Sequence, residues 1–534
     1  MHFKLSLVLI ILIGTSLNLS HGANIMFYFG LSSYSHRIIA WPLVESLAAR
    51  GHNVTFVSPF PSKTPNPTGV TDYVPKSMVP WLVFDEKAPF FKDRVAGRIE
   101  WNWFTLLDHG INLCTTIFND TDFVDFVKNT KFDMVVVDGS ANECAYGWTF
   151  LHGSKLVWFN TANPFPWYID TIGFPDEASW IPDQIFHPSP PGSLSFWGRF
   201  QSVFTPLYFT FLRENYYFPA LEKIFREKLA PDFPSASDFE KSTSLVLANT
   251  HYGEDFARPL PPNVVSVGGM HCAEKTKPLP KEISDFLSTP SGEKDEGFIY
   301  MSFGSCVEIA NFPPYIQNEI VNTFRKLKNI KILWKMDIAE PLKGLPAHIY
   351  TAKWMPQQDI LAHPKIRAFI THAGLLGIQE AICNGVPLIS FPIFAEQDYN
   401  ANKLEWRKVG VKLEITTITE DKFTTAIRRV LDDKEFSTNM KRLSTIFRDR
   451  PARPVDTAVW WTEYALRHDD AMHLRPQSVH LPWWKKRQLD VWGTIFLAIL
   501  LMYKLICLLL KAIFKLFSKF SSGKDKKKSK LKSS

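Results

Sequence analysis

Residues 369–397 read FITHAGLLGIQEAICNGVPLISFPIFAEQ. The stretch parses as a buried apolar strand, a His-Ala-Gly turn, a short helix and a second apolar strand that ends at Pro392. The acid–amide pair Glu396-Gln397 follows. A turn that leaves a strand and opens a helix gathers unpaired backbone N–H groups and the positive helix end at one point. Such a point suits a phosphate or another anion. His372 sits in the turn and Glu380 lies eight residues on, within the helix. Any α/β domain contains a strand–turn–helix, so the weight of this reading rests on what surrounds it.

Upstream, GFIYMSF (297–303) is a strand that runs into a Gly304-Ser305 turn, followed by a helix over 312–328, the strand KILWKM (331–336) and the loop WMPQQ (354–358). Downstream, helical segments are expected at 419–433, 434–450 and 455–468, the last rich in Trp460, Trp461 and Tyr464. Residues 258–294 shift to Pro, Gly, Lys and Glu and read as a linker. Ahead of it lies a second alternation. NIMFYF (24–29) is a strand, the loop GLSSYS leads to His36, a helix stops at Gly51, and NVTFVS (53–58) is the next strand. This order predicts a parallel pair whose first loop lies at the carboxyl edge of the sheet, where ligands bind. FDMVVVD (132–138) is a buried strand ending in Asp138, either a helix cap or a site residue. A helix (141–151) and strands at 155–160 and 245–249 complete this half. Residues 60–130, irregular and then helical, carry no motif. The aromatic stretch 193–218 is too interrupted by Arg199, Gln201, Pro206, Arg213 and Glu214 to span a bilayer, and reads as an internal helical pair or an apolar surface. Two successive alternations predict two doubly wound α/β domains facing across a cleft. G-x-G-x-x-G is absent, so a dinucleotide fingerprint is excluded.

At 534 residues, 46% hydrophobic, the chain is too long for one core. The formal net charge of +7 is a property of the tail: nine lysines from Lys511 onward face only Asp525, and the rest is close to neutral. A basic body suited to nucleic acid is therefore absent. Six cysteines show no metal-ligand spacing and imply no dense disulfide framework. Lys4 followed by LSLVLIILIG and small residues near Gly22-Ala23 has the layout of a secretory signal. Residues 491–510 hold a single charge, Lys504, over a length that spans a bilayer. The tail lysines outnumber Lys485, Lys486 and Arg487 before the span, which predicts a cytosolic tail and a lumenal or extracellular body. The final KLKSS resembles a dilysine signal for return to the endoplasmic reticulum. Of the sequons at Asn53 and Asn119, the second is the expected glycosylation site.

The quoted stretch resembles the signature of the UDP-glycosyltransferases at T-H-x-G, Gly377, Glu380, Pro387, Pro392 and the closing Glu-Gln. VGGMHC (267–272), KPLPKE (277–282), FGS (303–305), WMPQQDILAHP (354–364) and RPARPVDTAVWW (450–461) resemble the animal UDP-glucuronosyltransferases in the same order. The resemblance implies the GT-B arrangement of two facing Rossmann-like domains plus one C-terminal transmembrane helix. The implied division is a signal peptide (1–23), an acceptor domain (24–257), a linker (258–294), a UDP-sugar domain with closing helices (295–487), a membrane helix (488–511) and a basic tail (512–534). It implies that Trp354 packs on uracil and Gln357 bonds near base and ribose. Glu380 would accept from the ribose hydroxyls. Ser305, His372 and the helix start at Gly374, with Gly377 behind it, would meet the diphosphate. Glu396 and Gln397 would hold the sugar. A His–Asp dyad in the family's first domain maps onto His36 and Asp138, with His36 as the base and Asp138 orienting it. The implied reaction is a single inverting displacement on a UDP-sugar co-substrate by a small lipophilic acceptor, with no metal and no cofactor.

Family members often carry a second glycine after His-Gly and a small polar residue beside the phosphates, where this chain has Ala373, Leu375 and Leu376. A side-chain bond to phosphate lost at Leu376 amounts to about 1 kcal/mol. The sugar expected is glucuronate ahead of glucose, and Arg258 resembles an arginine found in some glucuronosyltransferases. The implied partners are donor, acceptor, membrane lipid and related transferases in homo- or hetero-oligomers. The implied place is the endoplasmic reticulum membrane, single-pass, with a lumenal body. The competing reading is a silent membrane-anchored partner that regulates active relatives.

Overall fold

The computed structural model describes residues 22–82, 90–98, 101–139, 141–162, 164–165, 167–175, 178–185, 194–289, 295–305, 307, 312–336, 344–468 and 471–531. The expected signal segment through residue 21, Cys306 and the last three residues of the KLKSS tail lie outside the described residues.

Seven parallel strands form the first sheet: β1 (Asn24–Tyr28), β2 (Asn53–Val57), β3 (Val70–Tyr73), β4 (Met134–Asp138), β5 (Lys155–Asn160), β6 (Leu245–Ala248) and β7 (Val264–Ser266). Their spatial order is β3-β2-β1-β4-β5-β6-β7. Six parallel strands form the second: β8 (Phe298–Ser302), β9 (Lys331–Lys335), β10 (Ile349–Ala352), β11 (Ile366–Thr371), β12 (Leu388–Ser390) and β13 (Gly410–Lys412). Their order is β10-β9-β8-β11-β12-β13. Strand side chains alternate between two buried faces, as parallel sheets covered by helices require. Met26, Tyr28, Val135 and Val137 join one core, and Ile25, Phe27, Met134 and Val136 join the core on the other side. Ile299, Met301 and Ile370 likewise oppose Phe298, Tyr300 and Phe369 in the second sheet.

In both sheets the chain reverses direction of travel beside its first strand, between β1 and β4 and again between β8 and β11. Such switch points leave a crevice at the carboxyl ends of the strands. The four strands that sequence periodicity leaves unmarked, β3, β7, β10 and β13, are the four sheet edges. Each has three or four residues, too few for an apolar run. One of them, β7, lies inside the stretch read as a linker and closes the first sheet.

The halves interlock. Ala458, Val459 and Ala465 of the Pro454–Arg467 helix belong to a core of the first sheet, although this helix follows the second domain in sequence. Lys155 Nζ donates to the carbonyls of Ala465 and His468 at 2.7 and 2.6 Å, satisfying the end of that helix. Conversely, Phe90 of the short Phe90–Val95 helix enters a core of the second sheet and stacks on Phe394 with ring centroids 3.8 Å apart. Disulfides join Cys114 to Cys144 and Cys272 to Cys383.

The aromatic stretch 193–218 fits both of its readings. A helix over Phe196–Leu212 passes through a π-helical turn, Arg213–Tyr217, into Phe218–Lys228. Thr205, Pro206, Phe209, Arg213 and Tyr217 face inward, and Phe196, Trp197, Phe200, Phe204 and Phe211 stay exposed. Both sequons are at the surface: Asn119 is exposed, and so is Asn53, whose side-chain amide donates to Asn24 Oδ1 at 3.1 Å.

A separate unit, Gln477–Ser534, is dominated by the helix Leu489–Leu531. Its segment Leu489–Lys519 is, among the described residues, the one helix long and apolar enough to cross a membrane.

Candidate active site

The loop after β1 is held by Asn142, whose side chain accepts from Leu31 N–H at 2.6 Å and donates to Leu31 C=O at 2.9 Å. The helix that follows, Tyr34–Ala49, places His36 in its first turn. Buried Arg37 anchors that turn to β3 by a two-pronged bond to Asp72 at 2.9 and 3.1 Å. A planar guanidinium on a carboxylate fixes orientation as well as distance. His36 is thereby turned toward Asp138 at the end of β4, with Nδ1 2.6 Å from Oδ2. Thr161, just past β5, donates to Asp138 Oδ1 at 3.1 Å and lies 3.0 Å from His36 Nδ1. Three adjacent strands, β1, β4 and β5, thus deliver the base, the acid and a hydroxyl to one switch point. Asp138 is fully buried, while the His36 side chain keeps 25% exposure. With its Nδ1 proton directed at a carboxylate, a neutral imidazole has Nε2 as its basic nitrogen.

Across the second sheet the donor-type residues gather at the β8/β11 switch point. His372, just past β11, is flanked by two glycines that leave no room for a side chain. A Cβ on Gly304 would come 2.8 Å from His372 Cε1, and one on Gly374 would come 2.5 Å from Nε2. Gly304 also has φ +73°, a left-handed conformation glycine adopts freely. Burial pushes the His372 pKa down to about 4, and the Lys335 charge pushes the same way, so the ring is neutral. Lys335 ends β9 and donates to Gly304 C=O at 2.6 Å. Ser305 is exposed beside it. Gly374 is the N-cap of the helix Leu375–Asn384, whose unpaired N–H groups open at this place. An imidazole, an ammonium, a hydroxyl and a helix start therefore share one small region that suits an anion.

The same helix buries Glu380, which accepts a hydrogen bond from Gln357 Nε2. Burial pushes the Glu380 pKa up to about 7 against the opposing pull of Gln357 and Gln358. Gly377 lies alongside, where a Cβ would be 3.6 Å from Gln357 Nε2. Trp354, in the loop leading to Gln357, is 66% exposed, a flat apolar face open to a ligand.

Glu396 and Gln397 follow β12 and open the helix Gln397–Trp406. Asn400 ties this pair to the His-Ala-Gly turn, its Nδ2 lying 3.1 Å from Ala373 O and 3.5 Å from Glu396 Oε1. Buried Gln397 uses its side-chain carbonyl to accept from Ile393 and Phe394 N–H, at 2.8 and 3.2 Å, which directs its amide end away from that loop. Burial raises the Glu396 pKa, while the charges of His36 and Lys403 oppose the rise. Once protonated, the imidazole of the first domain therefore favours the carboxylate form of Glu396 in the second.

Of the leucines substituted into the signature, Leu376 turns away from this region. Leu375 is buried, and Leu376 packs against a core of the first sheet. Thr161, Lys335 and Asn400 escaped the sequence reading. Each carried a positional signal: the first two end or follow a strand at its carboxyl edge, and Asn400 lies one helical turn after Glu396.

A family profile described as UDP-glucoronosyl and UDP-glucosyl transferase matches residues 31–528. UDP-glucosyltransferase 2 of Dactylopius coccus is 31% identical over 501 residues, covering 92% of this chain and 93% of that protein. UDP-glucuronosyltransferase 1A8 of Rattus norvegicus is 32% identical over 491 residues, with 87% of each chain covered. Among solved structures, the calicheamicin glycosyltransferase CalG4 superposes with a TM-score of 0.57 at 16% identity, covering 84% of this chain and 99% of its own. That likeness supports the GT-B fold. With two parallel α/β domains and a donor signature in place, the chain belongs to the UDP-glucuronosyl and UDP-glucosyl transferase family and is a UDP-glycosyltransferase.

Proposed function

We propose that this enzyme transfers glucose or glucuronate from its UDP-sugar to a hydroxyl or amine of a small lipophilic acceptor, with inversion at the anomeric carbon. The observation that carries the proposal is the His36–Asp138 pair at 2.6 Å, joined by Thr161. In this scheme His36 Nε2 takes the acceptor proton as the acceptor oxygen or nitrogen attacks C1. Asp138 stabilises the imidazolium that forms. The bond from C1 to the UDP oxygen breaks, and charge builds on the diphosphate. The helix start at Gly374, Lys335, Ser305 and neutral His372 are placed to receive that charge. Trp354 stacks on uracil, Gln357 and Glu380 take the ribose side, and Glu396 and Gln397 hold the sugar. One base and one displacement turn an α-linked donor into a β-glycoside.

The relatives' names include both glucosyl and glucuronosyl transferases. Arg258, the cation the sequence offers for a glucuronate carboxylate, bonds Asp255 at 3.0 Å. The apolar helix and basic tail support attachment to the endoplasmic reticulum membrane with the body in the lumen. The test uses detergent-solubilised full-length protein, UDP-glucose, UDP-glucuronate and a panel of phenols. Release of UDP and a β-anomeric coupling in the product support the proposal. Retention of UDP binding with no turnover of either donor contradicts it.

A further inference from the structure

The signature helix carries one buried polar residue that the donor site does not use. Gln379 is fully buried, next to Glu380 but turned the other way. Its Oε1 accepts from Gly269 N–H at 2.9 Å, and its Nε2 donates to Asn249 C=O at 3.1 Å. Asn249 directly follows β6 and Gly269 lies three residues past β7, so both partners are backbone of the first domain. Neighbouring contacts reinforce the junction. His271 Nε2 is 3.2 Å from Leu376 O, Gln358 accepts from Ala273 N–H and donates to His271 C=O, and Cys272 is bonded to Cys383. Burial holds His271 neutral, with its pKa lowered to about 4, so Nε2 supplies the proton to Leu376 C=O.

Taking the transfer reaction above as given, we infer that Gln379 is a positioning residue that locks the donor helix to the acceptor domain. It sets the distance between the sugar's reacting carbon and His36. The helix that presents its start to the diphosphate and Glu380 to the ribose is fixed from behind by Gln379, whereas the base stands on the other domain. Both bonds go to main chain of the edge-side strands, so the helix cannot shift along or away from the first sheet without breaking them. A misplacement of about 1 Å between reacting groups lowers rates by about a hundredfold. Donor affinity is set within the second domain and does not depend on this register.

The test compares wild type with Gln379→Met, similar in length but unable to make either bond, and Gln379→Glu. Gln379→Met is expected to lower kcat at least tenfold while donor KM and UDP Kd stay within twofold. In Gln379→Glu a protonated carboxyl reproduces both bonds and the ionised form does not, so the kcat deficit should shrink as pH falls. Spin labels at Lys128→Cys and Lys441→Cys, one exposed site on each domain, give a readout independent of turnover, and their distance distribution should broaden in Gln379→Met. If wild type turns over neither donor, the transfer reading fails and the label distances alone decide this inference. Unchanged kcat, parallel loss of kcat and UDP affinity, or an unchanged distance distribution in the folded variants overturns it.

Discussion

Nδ1 of His36 lies 2.6 Å from Oδ2 of Asp138, although 102 residues separate the two in sequence. A buried carboxylate on one ring nitrogen fixes both tautomer and orientation, leaving the other nitrogen to take a proton. Asp138→Asn keeps the shape and removes the charge. It is predicted to lower kcat by about 10³–10⁴ with donor KM little changed. Thr161→Val, which removes a hydrogen bond to the Asp138 carboxylate, is predicted to cost about ten- to a hundredfold. Steady-state kinetics of both variants with varied donor check these values.

Glu380 gives donor binding a pH dependence of defined sign. Its pKa is raised to about 7, and in the proposed donor pose only its carboxylate could accept from both ribose hydroxyls. UDP-sugar affinity should therefore rise by up to about tenfold per unit as pH climbs toward 7 and level off above it. The stability effect runs the other way. A raised carboxyl contributes stability in full below its ordinary value of 4.5 and loses it as pH rises through about 7. Glu380→Gln should flatten the binding profile and raise stability above pH 7 by at most about 3 kcal/mol. Calorimetric titration and thermal melts across pH 5–9 test both signs.

Lys335 is predicted to bear on the diphosphate. Lys335→Met should weaken UDP binding about ten- to a hundredfold, the range for one charge-assisted bond. It should also let the His372 pKa climb from about 4, since the Lys335 charge is one of the two causes holding it down. UDP titrations and the imidazole proton resonances of His372 report the two effects separately.

Arg213 is a stability element of the acceptor domain. It is buried in the π-helical turn, bonding Glu143 at 2.7 Å and Glu240 at 2.5 and 3.0 Å. Arg213→Met leaves two acids buried without their cation and is predicted to cost about 3–5 kcal/mol. Denaturant unfolding measures the loss, and simultaneous replacement of both acids by glutamine should recover much of it.

The architecture was legible where strands are central and absent where they are edges. Central strands such as Val135–Val137 and Ile299–Met301 are covered on both faces and write long apolar runs. Edge strands such as Val70–Tyr73 are short and half-exposed, so they leave no such run. At the site, His372, Glu380 and Glu396 were legible because they lie within one continuous signature. Thr161 and Lys335 were not, because each reaches the site only through the lateral order of strands. Leu376 shows the converse. Sequence placed it against a phosphate, while packing turns it against the first domain's core, since the ten-residue helix presents different faces to different neighbours.

In the proposed reaction the donor is gripped by the second domain and the proton is taken by the first. The most direct test is His36→Ala, with UDP affinity and sugar transfer measured on the same preparation. UDP Kd is expected to stay within twofold of wild type and transfer to fall by at least a thousandfold. Transfer surviving within tenfold of wild type, or UDP affinity and transfer lost together, would contradict the proposal.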